Sequence, residues 1–390
     1  MSKQQYILFT LIGFSLYLIS TGISFAAFSY FSKPAPVPQL STDTENPQNH
    51  FDIDPTIPKT EECPLNGKMF TKEEKEIWEK RRPLAVMIEN HADSRPQSGL
   101  SKADVVYEAV AEGGITRFMG IYYCDAAYKS VQLAPVRSAR TYYLPWILEY
   151  DALYNHVGGA GLCNDSTVDQ RAKALCQIQQ YKIKDMDQFG ISFPTCFRNY
   201  DRLDHEVATE HTMVCVTDKL YELAKKRGWT DEDEKGVSWD KNFQPWKFKD
   251  DAKLEDRGAS FSAKFVAWSG YENDYGVRWD YDKKTNVYKR YNGNLPHIDI
   301  ETEKQLTASV IAIIFVKEIG PVDDHAHLLY NNIGSGNGLL LQDGEAVSIT
   351  WKKPTKSSRT KYYDKSGKEV LLNRGQNWVE MLPIGTDVEY

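Results

Sequence analysis

The sequence predicts an α/β N-terminal domain followed by a mainly β C-terminal domain, preceded by one transmembrane helix. Three observations lead there. One long apolar run, Tyr6 to Phe31, carries no charge. Between Pro83 and Gly228, short apolar runs alternate with stretches of helical spacing, the rhythm of a layered α/β body. After Gly236 the chain turns to short segments rich in β-branched and aromatic residues, separated by turn dipeptides.

In order along the chain, residues 1–31 are the cytoplasmic end and the membrane anchor. At ~1.5 Å per residue the run is long enough to cross ~30 Å of hydrocarbon. A cleaved signal peptide is the competing reading, because Ser24-Phe25-Ala26 offers small residues at a cleavage spacing. The run exceeds the usual apolar core of such a peptide, which favours the anchor. Residues 32–60 hold Pro34, Pro36, Pro38, Pro47, Pro55 and Pro58 among polar residues, the composition of an extended tether. The bulk of the chain is then expected outside the cytoplasm.

Residues 61–236 form the α/β domain. Strands are expected at Leu84–Ile88, Asp104–Ala111, Ile115–Tyr123 and Val131–Val136. Helices are expected over Ser138–Tyr150, over Val168–Tyr181, and from a Thr217 cap to Gly228. Residues 237–390 form the mainly β domain, with strands near Phe261–Trp268, Val277–Tyr281, Val287–Tyr291, Ser309–Val316, Gly338–Leu341, Ala346–Trp351 and Asn377–Leu382. Asn292-Gly293, Asp343-Gly344 and Ser366-Gly367 mark turns among them. The alternative arrangement is one body in which the two halves interleave.

Composition narrows the function. Twelve per cent aromatic residues provide ample core, which excludes a disordered chain. A net charge of −7 argues against a nucleic-acid binder. The six cysteines, Cys63, Cys124, Cys163, Cys176, Cys196 and Cys215, form no CxxC pair. Their spacing fits neither a zinc ribbon nor a thioredoxin motif, and an exported chain allows up to three disulfides.

Arginines concentrate in strand-end loops: Arg95, Arg117, Arg137 and Arg140, followed by the glycine-rich His156-Val157-Gly158-Gly159-Ala160-Gly161. The guanidinium fork grips two oxygens of a phosphate or carboxylate, and such loops are where α/β folds hold ligands. Arg198 and His211 are expected on the far wall of the same cleft. The competing reading pairs these arginines with Asp93, Asp104 or Glu108 as internal braces. Histidines at HxxxH or HExxH spacing are missing, as are a GxSxG elbow and a phosphate-loop lysine.

The segments RPLAVMIENHADSRPQSGLSKADVVYEAVAEGGITRFMGIYY, PVRSARTYYLP, HVGGAG, PTCFRNYDRL and TEHTM resemble the YerB-like family of bacterial envelope lipoproteins. The likeness continues through NGNLPHID, GSGNGLLLQDGEAVSITWKK and KEVLLNRGQNWVEMLP, and covers roughly residues 62–383. It implies an extracytoplasmic envelope protein with paired N- and C-terminal domains. This chain departs from the family where an uncharged apolar run takes the place of a lipidated cysteine. The loops around Asp93-Ser94-Arg95, Lys102-Ala103-Asp104 and Pro135-Val136-Arg137-Ser138 are also similar, more distantly, to the LytR–CpsA–Psr phosphotransferases.

Three functions follow. The chain binds an anionic envelope ligand or a cell-wall assembly partner. Alternatively it is a phosphotransferase on a polyprenyl-pyrophosphate-linked glycan, the resemblance then implying Mg²⁺ on Asp93 or Asp104. Alternatively it is an interaction module without a ligand. The sequence does not decide whether the chain is an enzyme, and it implies no other cofactor.

Overall fold

The strand Leu84–Glu89 (β1) is buried over all six residues, as a run without alternating polar positions demands. It sends Ala85 and Met87 to one side and Leu84, Val86 and Ile88 to the other. Both faces of its sheet are therefore covered. In the computed structural model, which describes residues 56–390 and the isolated Gln5, this strand belongs to a ten-stranded sheet. The expected anchor over 6–31 and the tether as far as residue 55 lie outside the described residues. Among the described residues no helix is long and apolar enough to cross a membrane.

The sheet draws on both halves of the chain. From the first come β1, β2 (Val105–Val110), β3 (Thr116–Tyr122), β4 (Leu153–His156) and β5 (Lys184–Asp187). A separate three-stranded antiparallel sheet holds β6 (Cys196–Arg198) and β7 (Met213–Val216), with Gln132–Leu133 on the other edge of β7. The second half adds a side hairpin system, β8 (Ser262–Phe265), β9 (Val277–Asp282) and β10 (Val287–Asn292). It then returns to the main sheet with β11 (Val310–Val316), β12 (Gly334–Gln342), β13 (Glu345–Lys353), β14 (Lys361–Tyr363) and β15 (Asn377–Pro383). The main sheet runs in the order β14-β13-β12-β11-β15-β2-β3-β1-β4-β5. The late strand β15 sits between β11 and β2 and is parallel to both, with Asn377 opposite Val105 and Glu380 opposite Glu108. Of the expected turns, Asp343-Gly344 joins β12 to β13 with positive φ at both residues (52° and 75°), which a two-residue type I′ hairpin requires.

The two halves differ in secondary structure. Helices α1 (Lys72–Trp78), α2 (Leu144–Glu149), α3 (Ala174–Gln180) and α4 (Thr217–Lys226) all precede residue 237. Beyond it the described α-helix is a single turn, Glu272–Tyr275. The protein is mainly β. Trp78, Trp146, Ile147 and Ile178 cover one face of the sheet together with Trp351 and Tyr362. Leu220 and Tyr221 of α4 cover the other, with Trp279, Tyr281 and Tyr288. Each core layer thus mixes residues from the two halves.

All six cysteines are paired, as Cys63–Cys124, Cys163–Cys176 and Cys196–Cys215. The last of these links directly opposed residues of β6 and β7.

A buried polar network also joins the halves. Glu108 on β2 accepts from Thr116 Oγ1 at 2.7 Å and pairs with Arg290 on β10, with both side chains sealed from solvent. Arg290 Nη1 donates to His297 Nδ1 at 3.0 Å, and His297 Nε2 donates to Gln97 Oε1 at 2.6 Å. That assignment needs a neutral ring, and burial, then Arg290, push the His297 pKa well down. Glu380 on β15 faces the same cluster and accepts from Trp279 Nε1 at 3.1 Å. Burial, then the charge of Glu108, hold Glu380 well above the usual carboxylate range.

A pH effect follows. The folded chain keeps a proton on Glu380 that the unfolded chain releases above ~4.3. The raised folded pKa means stability is present at low pH and lost as pH rises from that value through the folded pKa. The loss is about 1.4 kcal/mol per pH unit within the window. Glu380→Gln is expected to flatten this segment of the urea-midpoint profile, and parallel profiles for the two proteins would refute the assignment.

Candidate functional site

The C-terminal end of β1 places Glu89 opposite Arg117 of β3, and the loops that follow surround it. The Glu89 carboxylate is almost wholly buried. It meets His211 Nδ1 at 2.7 Å and forms an ion pair with Arg137 Nε at 3.0 Å. Arg137 is a quarter exposed and reaches the Glu210 carbonyl with Nη1 at 3.4 Å. His91 stacks on His211, with ring centroids 4.8 Å apart and planes at 21°.

Arg198, at the end of β6, donates to the Thr209 carbonyl and to Thr212 Oγ1. It closes this side, so Arg137, Arg198 and His211 are brought together around one loop, 209–212. Arg95 stands on the other flank. It donates Nε to Asn90 Oδ1 at 3.1 Å and Nη2 to the Asn90 carbonyl at 3.0 Å, and lies over the Tyr275 ring at 5.0 Å. Arg202 clamps the same loop through the carbonyls of Ser94 (2.7 Å) and Pro96. Burial pulls the pKa of Arg95 and of Arg202 down to about 10. Neither they nor Arg198 have a carboxylate within ion-pair distance among the described residues.

Arg117 and Arg140 form a neighbouring group around Glu112. Arg140 grips it with the Nε/Nη2 edge of its fork, one arm at 2.8 Å, and Arg117 stands 3.9 Å away. Burial raises the Glu112 pKa, but Arg140 outweighs it and the net direction is down. Arg117 Nη1 donates to the Ser138 carbonyl at 3.0 Å, which links this group to Arg137. His156 is fully buried beyond it, with Nδ1 on the Gly158 carbonyl at 2.8 Å and Nε2 on Asp185 at 2.9 Å. Its nitrogens are occupied, so it shapes the glycine loop instead of facing solvent.

The two candidate Mg²⁺ carboxylates stand apart. Asp93 is 72% exposed on the loop beside His91. Asp104 is buried at the far end of β2, its backbone N–H on the Ile121 carbonyl, four residues along β3 from Arg117. At ~3.3 Å per residue that is about 13 Å from the arginine end. Asp104 accepts from the Tyr123 and Cys124 amides at 2.7 and 3.0 Å and from Asn66 Nδ2 at 2.6 Å. It braces the chain turn next to the Cys63–Cys124 bridge, and burial, then Asp125, push its pKa up.

His91, Asp93 and His211 have ligand atoms within 4.8 Å of one another, a spacing open to a metal ion. His211 Nδ1 already meets the Glu89 carboxylate at 2.7 Å.

Sequence reasoning missed the two carboxylates that organise the site. Glu89 and Glu112 hold Arg137 and Arg140, where Asp93, Asp104 and Glu108 were expected to. The signal for Glu89 is a charged residue closing a run that is otherwise wholly apolar. Phe189 (78% exposed), Phe193 (60%) and Tyr200 (54%) present aromatic side chains to solvent.

Residues 66–230 match the family described as "Protein of unknown function (DUF3048) N-terminal domain". Residues 266–379 match its companion, described as the DUF3048 C-terminal domain. A curated relative from Bacillus subtilis (strain 168), described as "Putative lipoprotein YerB", is 28% identical over 341 residues, which is 85% of this chain and 89% of the relative. The crystal structure of YerB protein from Bacillus subtilis aligns with a TM-score of 0.66 at 24% identity, covering 85% of this chain and 100% of that one. The latter likeness is one of fold.

Proposed function

The chain belongs to the DUF3048 family, with both of its paired domains, and from that premise we propose that it is a membrane-anchored, extracytoplasmic envelope protein that binds an anionic ligand on the face around Glu89. The lipoprotein description of the relative and the uncharged run over residues 6–31 support the location. One observation carries the ligand class. Three guanidiniums, Arg95, Arg198 and Arg202, are held by carbonyl, amide and hydroxyl oxygens and not by carboxylates.

A guanidinium fixed by neutral acceptors keeps its full charge for an incoming anion, and Arg137 adds a fourth cation already a quarter exposed.

Calorimetry with inorganic pyrophosphate tests the reading. Wild type is expected to bind. Arg137→Ala and Arg198→Ala are each expected to weaken binding at least tenfold, about 1.4 kcal/mol, with circular dichroism unchanged. A wild-type chain that takes up no pyrophosphate, or variants that bind it equally well, would overturn the proposal.

A further inference from the structure

Glu89 divides its two oxygens between two partners. Oε1 pairs with Arg137 Nε at 3.0 Å, and Oε2 meets His211 Nδ1 at 2.7 Å. A carboxylate on one imidazole nitrogen fixes the ring and leaves the lone pair of the neutral tautomer on the other. Metal-binding histidines are held in this way. That other nitrogen, His211 Nε2, has no hydrogen-bond partner among the described residues. Solvent reaches it, although the side chain as a whole is only 8% exposed.

Two more donors stand beside it. The His91 ring lies with its centroid 4.8 Å from that of His211 and is a third exposed. The Asp93 amide approaches His91 Nδ1 at 3.3 Å, a long contact that keeps a lone pair on that nitrogen. Asp93 Oδ2 is 3.7 Å from the same atom. Two donors on one tetrahedral Zn²⁺ stand about 3.3 Å apart, given bonds of ~2.0–2.1 Å. A small rotation of the exposed Asp93 side chain closes that difference. Each of the three residues has a donor atom within 4.8 Å of the other two. Two imidazoles and one carboxylate suit a first-row transition ion better than Mg²⁺, which prefers oxygen donors.

We propose that His91, Asp93 and His211 bind a transition-metal ion of the Zn²⁺ type, with Glu89 as the positioning residue behind His211. Three protein donors leave one tetrahedral position for water or for an oxygen of a ligand. The Asp93 and Glu89 carboxylates offset the ion, and Arg137 keeps the group positive, which suits an anionic fourth ligand. The metal site does not depend on the anion reading above, because the ion is measured with chloride as the sole added anion.

The test titrates the full-length chain, freed of metal by a chelator that is then removed, with Zn²⁺ in a calorimeter. One equivalent is expected to bind. Co²⁺ in its place is expected to give the visible absorption of a four- or five-coordinate ion. His91→Ala and Asp93→Asn change solvent-exposed side chains, and each is expected to weaken Zn²⁺ binding at least tenfold and to remove the Co²⁺ bands. Glu89→Gln is expected to weaken it by about 10–100-fold, the range for losing a carboxylate behind a ligand histidine. His325→Ala, an exposed histidine on another loop, is expected to bind as wild type does. No bound equivalent, or equal affinity in folded His91→Ala and Asp93→Asn chains, would overturn the proposal. Zn²⁺ bound by a chain that takes up no pyrophosphate would overturn the anion reading alone.

Discussion

Glu149→Ala is expected to destabilise the protein by about 3–5 kcal/mol, the range for removing one member of a buried ion pair. The side chain stands between Lys353 and Arg359, all of them sealed from solvent. Removing it leaves two cations buried with hydroxyl, carbonyl and aromatic neighbours alone. Glu149→Gln keeps the shape and hydrogen-bonding atoms but removes the charge, and is expected to lose a large part of the same stability. Urea unfolding measures both. A loss below about 1 kcal/mol in the alanine variant would show that solvent reaches the cluster and that the charges are not confined.

The second large effect concerns the Cys63–Cys124 bridge, which closes a loop of 61 residues. Chain-entropy arguments give about 4 kcal/mol for a loop of that length. The double variant Cys63→Ser, Cys124→Ser is expected to unfold at a markedly lower urea concentration than the oxidised wild type. The neighbouring brace adds to this, since Asp104 holds the amides of Tyr123 and Cys124 and loosens when the turn does. Equal midpoints for the two proteins would mean that Asp104 and Asn66 fix the segment without the covalent link.

How much of this was legible in the sequence depends on whether the cause was local. Leu84–Ile88 reads as a buried strand because its apolar run needs no partner to identify it. Asp343-Gly344 reads as a hairpin because the positive φ angles are a property of those two residues. The helix expected over Ser138–Tyr150 starts later than its spacing suggests: residues 141–143 form a 3-10 turn and α2 runs from Leu144 to Glu149. The cause is remote, since the Ala139 N–H is taken by the Gly158 carbonyl at 2.9 Å, which keeps the segment extended. Thr217 was expected to cap α4, yet its hydroxyl accepts from the Val131 amide at 3.0 Å.

The site followed the same rule. Loop arginines were visible as a cluster, and the structure brings Arg137, Arg198 and His211 around the same loop. Their partners Glu89 and Glu112 lie in strands and turns far off in sequence, and pairing of that kind depends on the fold.

The position of β15 bears on how the chain is made. The strand is the last in chain order among the described residues, yet it fills the slot between β11 and β2. Until it arrives, Val105–Val110 and Val310–Val316 each present an open edge of apolar residues, and the early half must wait in that condition for the late half. The gap between Val105 and its neighbour Asn377 is one of the longest sequence separations a sheet contact in this chain can have. Such closures are slow. The nascent protein is therefore exposed to edge-to-edge association throughout its synthesis, and a message that stops short of Asn377 yields two half-sheets facing an empty groove.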